Sequence, residues 1–456
     1  MKISIIGTGY VGLVTGVCLA TRGHQVICVD KQEDIVKRIN EAQPTIYEPG
    51  LDELLEGAVS KRNLLATTSL MDAVKCTEVT IVAVGTPYSE GKIDLSQIKQ
   101  SVREIGDILK NKDKYHVVCI KSTVVPTTTD TVVKNILEEA SGKKAGRFGL
   151  AMNPEFLREG KAVEDFMNPD RIVIGAYDKK SFNTVKRIYK DQFKAPIIRV
   201  NLRTAEMIKY ASNGLLAALI SYSNEVASIC EETGGIDVKE VLEGVTLDKR
   251  FSPRVGDLLI NPEMTTYLMA GCGFGGSCFP KDVKALVSFA DNRGYSAEML
   301  KSILKINETQ PLRLVSRLET AVGGLQGKKV AVLGVAFKPD TDDVRESPAL
   351  IIIKELLNKM ATVVVVDPIA VENADKVIPA NASSLCYSSD YKYALQDADA
   401  AILATSWPEF SAIPAQEFVM LMKNPVLVDG RRVYDKQAME AAEVEYIGVG
   451  LAEFLP

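Results

Sequence analysis

The sequence predicts an α/β protein in which two parallel-sheet domains are joined by one long central helix. Three observations carry this. Short apolar, β-branched runs alternate with helical patterns through the first half of the 456 residues. One helical periodicity then runs unbroken from Thr204 to the Gly234-Gly235 stop. A second alternating series begins near Lys329, and these two α/β halves are the chain's only internal repetition.

Taken in order, the first strands are Ile3–Ile6, Gln25–Val29, Val79–Val84, Val117–Ile120, Gly149–Met152 and Arg171–Ile174. The central helix carries Met207, Ile208, Ala211, Leu215, Leu219, Tyr222, Val226 and Ile229. About 30 residues at about 1.5 Å per residue make a rod of roughly 45 Å, longer than one small domain needs. Its apolar stripe, widened by Leu216, Ala218 and Ile220, exceeds one covering layer and predicts contact with a second subunit. The second series comprises Lys329–Leu333, Thr362–Val366, Ala400–Ala404 and Pro425–Val428. Its first strand ends in Gly334-Val335-Ala336-Phe337-Lys338, without dinucleotide spacing, so it should bind something else.

The first strand runs into Gly7-x-Gly9-x-x-Gly12, and Asp30 closes the second strand. Glycines there permit a tight turn and close approach of a pyrophosphate, while the acid accepts hydrogen bonds from the adenosine ribose. The whole strand, turn, helix, strand and acid arrangement defines a Rossmann-like domain; a lone glycine pattern would not. The Asp30 carboxylate would repel a 2′-phosphate, which favours NAD over NADP. Gly85-Thr86-Pro87 and Lys121-Ser122-Thr123 end two later strands, so Thr86 and Thr123 point toward the cleft where such sheets bind ligands. Each alone could be an ordinary turn or capping residue.

Gly276-Ser277-Cys278-Phe279-Pro280-Lys281-Asp282 supplies a candidate nucleophile. Pro280 suits a first helical turn, and the pattern from Lys281 to Arg293 ends at Gly294. Cys278 therefore precedes a helix amino terminus, where unpaired N–H groups and the helix dipole favour a thiolate. Lys281 opposes that dipole and is read as serving an anionic ligand. The plainer alternative for any one cysteine is a small core residue. Lys209 and Asn213, at i and i+4 on the central helix, can aim at one oxygen; a solvated strip is the competing reading. Asn153-Pro154-Glu155-Phe156-Leu157-Arg158-Glu159-Gly160 follows a strand end with two carboxylates four apart, which could equally cap or solvate a short helix.

Composition excludes several classes. A formal charge of −5 without a long basic run leaves no footprint for nucleic acid. No apolar stretch approaches the roughly 18 residues of a membrane helix, and Met1-Lys2 leads directly into a strand, so a cytoplasmic location is expected. The eight cysteines show no Cys-x-x-Cys pair and read as reduced thiols. Two histidines, His24 and His116, support neither a triad nor a metal site and read as structural.

With these residues assembled, the chain resembles the UDP-glucose 6-dehydrogenase branch of the UDP-glucose/GDP-mannose dehydrogenase family over essentially its whole length. The resemblance rests on the glycine motif, Tyr47-Glu48-Pro49-Gly50, Gly85-Thr86-Pro87, the segment 153–160, Gly273-Phe274-Gly275-Gly276-Ser277-Cys278, Phe337-Lys338 and Asp429-Gly430-Arg431-Arg432. It implies an NAD-binding domain at 1–203, a helical dimerisation domain at 204–322 carrying the cysteine, and a UDP-sugar-binding domain at 323–456. Cys278 would be the nucleophile, with Lys209, Asn213, Asp282, Thr123 and Glu155 completing the catalytic set. NAD would meet Gly7, Gly9, Tyr10, Val11, Gly12, Asp30, Thr86, Pro87, Thr123, Glu159, Lys281 and Arg345. The UDP-sugar would meet Glu155, Phe156, Leu157, Arg158, Glu159, Lys209, Asn213, Tyr267, Leu268, Met269, Ala270, Gly271, Phe274, Gly275, Cys278, Phe337, Lys338 and Arg432, with Arg254 reaching in from a second subunit. Ile35 departs from the family pattern, where many relatives carry a lysine, and Lys31 is the candidate to replace that contact.

The implied reaction oxidises UDP-glucose to UDP-glucuronate, a loss of four electrons that uses NAD twice. Lys209, or Asp282 through a water, would take the hydroxyl proton, and Cys278 would hold the aldehyde as a thiohemiacetal and then as a thioester. Two other readings stand beside it: a dehydrogenase of GDP-mannose or a UDP-N-acetylhexosamine, and a non-catalytic nucleotide-sugar sensor. Glu155 in its segment argues against the N-acetyl group, and intact Cys278, Lys209 and Asp282 argue against the sensor.

Overall fold

The computed structural model describes residues 1–190, 192–381 and 383–452, which divide into two compact units, Met1–Ser212 and the chain from Asn213 onward. In the first unit β1 (Lys2–Ile6), β2 (Gln25–Val29), β3 (Leu64–Thr67) and β4 (Val79–Val82) precede a small hairpin of β5 (Tyr88–Ser89) and β6 (Lys92–Ile93). β7 (Val117–Ile120), β8 (Gly149–Met152), β9 (Ile172–Ala176) and β10 (Ile197–Val200) follow. The large sheet has the order β10-β9-β8-β7-β4-β1-β2-β3. Every side chain of β4, β7 and β8 is buried, as expected of strands covered by helices on both faces.

The sheet is parallel from β3 to β8, but β9 joins β8 antiparallel, pairing Ala151 with Ala176 and Met152 with Gly175. The Arg171–Ile174 strand is thus correctly placed, and its direction differs from the rest. Between β8 and β9 lies only the six-residue helix Ala162–Met167, and the chain returns down the sheet without a full crossover.

The second unit holds the hairpin of β11 (Arg254–Val255) and β12 (Leu258–Leu259), then β13 (Lys329–Leu333), β14 (Thr362–Val366), β15 (Leu385–Ser388), β16 (Ala400–Leu403), β17 (Val426–Asp429) and β18 (Glu445–Gly448). Its six-stranded sheet is parallel throughout, in the order β15-β14-β13-β16-β17-β18. Numbered within the unit this is 3-2-1-4-5-6, the doubly wound dinucleotide-fold order, and β3-β2-β1-β4-β7-β8 repeats it in the first unit. Such sheets place ligands beyond the strand ends where the order reverses: between β1 and β4, and between β13 and β16.

The central helix is one element of 32 residues, Leu202–Thr233. Beyond Asn213 its Ala227 and Cys230 share a core with Leu314 and Leu318 of the helix Glu298–Val322 and with β13 to β17. Ala217 packs instead with Phe274, Val283 and Ile303, the core beneath the cysteine segment.

Candidate active site

In the first unit, Gly7 has a φ of +88° and donates its N–H to Val29 O at 2.9 Å, so the turn leaves β1 in a conformation costly for other residues. A Cβ on Gly12 would lie 1.9 Å from Gly7 O, which makes the third glycine obligatory for bringing the helix Tyr10–Thr21 onto the turn. A Cβ on Gly9 would meet nothing within 4 Å: the turn faces open space at a helix amino terminus, the setting a pyrophosphate requires. Asp30 accepts from the N–H and hydroxyl of Thr8 at 3.1 and 2.6 Å through Oδ2, and from Gln32 N–H at 3.1 Å through Oδ1. The acid is thus oriented over the turn, and these residues fit a bound dinucleotide. Lys31 is exposed, Ile35 packs against the core, and the buried hydroxyl of Thr86 donates to Thr123 O at 2.8 Å.

The segment after β8 is fixed by charge. Glu155 and Lys209 form an ion pair at 2.9 Å with side chains only 6% and 3% exposed, so Lys209 lies on no solvated strip. Glu155 Oε2 also accepts from Leu157 N–H at 2.7 Å. Burial pushes the Glu155 carboxyl up, yet Lys209 and these hydrogen bonds prevail and hold it below the ordinary carboxylate range. Phe156 lies under both Arg171 and Lys209, at 4.0 and 5.6 Å from its ring centre. Arg158 is bidentate to Asp165. Tyr47-Glu48-Pro49-Gly50 gains a role that the sequence did not disclose. Glu48, 2% exposed, accepts from the Tyr10 hydroxyl and from the N–H groups of Gly160 and Ala162 at 2.8 and 2.7 Å, tying the segment to the helix of the glycine turn.

In the second unit, Cys278 occupies the N-cap of the helix Phe279–Asp291, with Pro280 in its first turn and Gly294 (φ +76°) just past its end. Its sulfur is partly exposed and stands 3.5 Å from Ser277 Oγ. Asp282 in the first turn is 1% exposed; its Oδ2 accepts from Asn213 Nδ2 at 2.6 Å and its Oδ1 faces the Lys281 ammonium. Lys281, read as an anion ligand, is paired here with its own neighbour and keeps part of its side chain exposed. The glycines before Cys278 have a packing cause. A Cβ on Gly275 would fall 2.5 Å from Glu346 O, and one on Gly276 2.8 Å from the Phe337 ring. Asn224 accepts Gly271 N–H at 2.8 Å, Asn307 brackets Phe274 by accepting its N–H and donating to its carbonyl, and Gln310 donates to Gly271 O. These three amides carry no motif, so the sequence did not reveal them.

The remaining predicted contacts lie where β13 and β17 end or around the β11–β12 hairpin. Gly334, with a φ of +94°, repeats the geometry of Gly7, and Asp367 repeats the position of Asp30. The Asp367 carboxylate, however, is fully buried and already accepts from Val335, Ala336, Ile369 and Ala370 N–H and from the Trp407 indole. It has no role left for a ribose. Arg432 is turned to Asp237, which it contacts at 2.7 and 2.8 Å, and Arg345 is bidentate to Asp343. Lys338 lies over the Phe337 ring. Leu268 and Ala270 are buried, Tyr267 is half-buried, and Met269 and Arg254 are exposed. His24 and His116 are both buried and hydrogen-bonded within the first unit. Among the described residues no group of three or more acids, histidines or cysteines could hold a metal ion, and no helix is long and apolar enough to cross a membrane.

Two sheets of dinucleotide order, one with an open glycine turn ordered by an acid at the end of its second strand, and a cysteine capping a helix beside a buried Asp-Asn pair are the features of an NAD-dependent dehydrogenase. Comparison with known proteins narrows the class. Residues 1–193 match the NAD binding domain, 203–309 the central domain and 331–436 the UDP binding domain of the UDP-glucose/GDP-mannose dehydrogenase family. The chain belongs to that family. It is 40% identical over 450 residues to the UDP-glucose 6-dehydrogenase TuaD of Bacillus subtilis, covering 98% of this chain and 93% of that one. It is 42% identical over 443 residues to the UDP-glucose 6-dehydrogenase AglM of Haloferax volcanii, covering 96% and 98%. The solved UDP-glucose dehydrogenase of Pyrobaculum islandicum superposes with a TM-score of 0.88 at 41% identity over 99% and 98% of the two chains. A UDP-D-ManNAc dehydrogenase from Pyrococcus horikoshii superposes at 0.85 with 27% identity, covering 99% of each.

Proposed function

We propose that the protein oxidises UDP-glucose to UDP-glucuronate with NAD, in two successive oxidations at one cysteine. The observation that carries the reading is the pairing of Cys278 at a helix N-cap with the buried Asp282–Asn213 hydrogen bond in a chain whose full-length relatives are UDP-glucose 6-dehydrogenases. Bound NAD supplies the hydride acceptor for each oxidation; every other element of the chemistry belongs to the chain.

Lys209, held by Glu155, takes the C6 hydroxyl proton. The Cys278 sulfur then adds to the aldehyde carbon, giving a thiohemiacetal that cannot leave, and its oxidation yields a thioester. Lys209 and Asn213 donate to the oxyanion of the tetrahedral states, a type of contact whose removal costs about 2.7–4 kcal/mol of transition-state stabilisation. Asp282 and Thr123 hold the water that cleaves the thioester. We assign NAD contacts to Gly7, Gly9, Tyr10, Val11, Gly12, Asp30, Lys31, Thr86, Pro87, Thr123, Glu159, Lys281 and Arg345, and UDP-sugar contacts to the segments 155–159 and 267–271 with Lys209, Asn213, Phe274, Gly275, Cys278, Phe337, Lys338 and Arg432. The functional division follows 1–203, 204–322 and 323–456. The protein acts as a homodimer in the cytoplasm, with Arg254 completing the partner's sugar site.

Absorbance at the NADH band tests this across UDP-glucose, GDP-mannose and UDP-N-acetylhexosamines. Two NADH per UDP-glucose is expected. One NADH with free aldehyde accumulating overturns the covalent scheme, and preference for another sugar nucleotide overturns the substrate.

A further inference from the structure

Lys121 closes β7 at the head of the Lys121-Ser122-Thr123 segment, and the reaction as derived gives it no part. Its side chain is 3% exposed. The ammonium donates to Asn153 Oδ1 at 3.2 Å and approaches Asn153 O at 3.5 Å, both neutral acceptors. Among the described residues no carboxylate lies within ion-pair distance of it.

Asn153 is itself pinned: its Oδ1 accepts from the Tyr189 hydroxyl at 2.5 Å and its Nδ2 donates to Val173 O at 2.8 Å. Two residues on stands Glu155, paired to Lys209. Four titratable groups face Lys121: Cys119 on its own strand, Glu155 beyond β8, Tyr189 from the helix Lys179–Tyr189, and Lys209 from the central helix. Burial pushes the Cys119 thiol up to about 12 and the Tyr189 phenol higher still, so both stay neutral. Two ammonium groups therefore lie in one buried layer whose carboxylate, Glu155, pairs with Lys209. Burial, opposed by Glu155 and reinforced by Lys209, brings Lys121 down to about 8.

We propose that Lys121 is a positioning residue that fixes the Asn153-Pro154-Glu155 turn and, as a second buried cation, favours the neutral amine of Lys209 for proton abstraction. This rests on the reading of Lys209 as the base. Like charges in one buried site disfavour each other's charged forms. Removing the Lys121 charge must then raise the proton affinity of Lys209 and shift activity to higher pH.

The test is the pH profile of kcat/KM for UDP-glucose in the full-length enzyme, compared with K121M, K121R and K209M. K121M should move the acid limb upward by about one unit and recover rate at alkaline pH. K121R, whose charge is never lost, should keep the limb or move it lower. A uniform loss in K121M with the limb unmoved, or an upward shift in K121R, overturns the proposal. The pH midpoint for acetylation of the Lys209 amine by acetic anhydride, read by peptide mass, supplies a second measurement independent of catalysis. It should rise in K121M, and an unchanged midpoint overturns the proposal. A limb that survives in K209M defeats the base reading instead, leaving the acetylation midpoint to decide the role of Lys121.

Discussion

Asn213 Nδ2 donates to Asp282 Oδ2 at 2.6 Å, and the two side chains are 6% and 1% exposed. The bond joins the central helix to the first turn of the cysteine's helix. Asp282 is placed by packing and by this amide, not by solvent. Asp282→Asn keeps the shape while removing the charge that faces Lys281 and that, in the proposed mechanism, holds the hydrolytic water. We expect kcat to fall by about 10²-fold or more with a small change in melting temperature, the scale of lost acid–base assistance. Asp282→Ala leaves the Asn213 amide buried without its acceptor and should also cost about 1–3 kcal/mol in denaturant unfolding. Unimpaired turnover in both variants would remove Asp282 from the reaction.

Cys278→Ser should bind UDP-glucose and NAD almost as the parent does, because the N-cap position and the glycine packing before it are unchanged. Steady-state turnover should drop by at least about 10³-fold, since removing a nucleophile removes the pathway and not one contact. Calorimetric titration of both ligands, set beside the NADH assay, separates the two effects. Full turnover would show that another group carries the acyl intermediate.

Much of this was readable in the residues. β7, β13 and β14 are short apolar, valine-rich runs buried on both faces past at most their first residue, and such runs identify themselves. β3, β10, β15 and β18 were not predicted because they are edge strands with partly exposed or polar residues, as in Leu385-Cys386-Tyr387-Ser388. The reversal at β9 is a property of the connection before it, which no residue in the strand encodes. The site divides the same way. Cys278, Lys209 and Asn213 sit at spacings with a mechanical meaning, whereas Asn224, Asn307 and Gln310 reach the glycine run from 47, 33 and 39 residues away. Only the fold brings such amides together.

Asp30 organises the glycine turn through Thr8, and the proposed NAD site gives its remaining acceptor capacity to the adenosine ribose. Asp30→Ala should weaken NAD binding by roughly 10- to 100-fold, the range of a lost charged hydrogen bond of about 1.5–3 kcal/mol. NADP, which the carboxylate repels, should lose much less. Fluorescence titration with the reduced cofactors measures both. Comparable catalytic efficiency of the parent enzyme with NAD and NADP would contradict the assignment.

Glu206 on the central helix is fully buried and accepts the N–H groups of Thr127 and Thr129 at 2.8 and 2.7 Å. Burial outweighs these bonds and raises its carboxyl from the ordinary 4.5 to about 7, with Asp130 adding to the rise. The folded state therefore holds this proton more tightly than the unfolded chain does. Its contribution to stability is complete below about pH 4.5 and is lost as pH rises through about 7. Melting temperature should fall across that window more steeply in the parent than in Glu206→Gln, which cannot ionise. Parallel curves would mean that Glu206 is already ionised throughout.

Along the central helix Met207, Leu215, Tyr222 and Ile229 are 38, 55, 52 and 59% exposed, and Ala211 is exposed in line with them. Their spacing of mostly four and seven places them on one stripe, while Ala205, Tyr210, Ala217 and Ala227 of the same helix are buried. A run of large apolar side chains on a single exposed face is more than isolated surface residues explain. A second copy of the helix, related by a two-fold axis, is the simplest closed partner, because the same stripe then covers itself. Light scattering should give a dimer or a multiple of one. Leu215→Glu, which buries a charge if the stripe is covered and is harmless if it is not, should shift the mass toward the monomer and lower activity at dilute concentration. Arg254→Ala should weaken UDP-glucose while leaving the mass unchanged. A fully active monomer would refute the assembly, and unaltered sugar affinity in Arg254→Ala would refute the shared site alone.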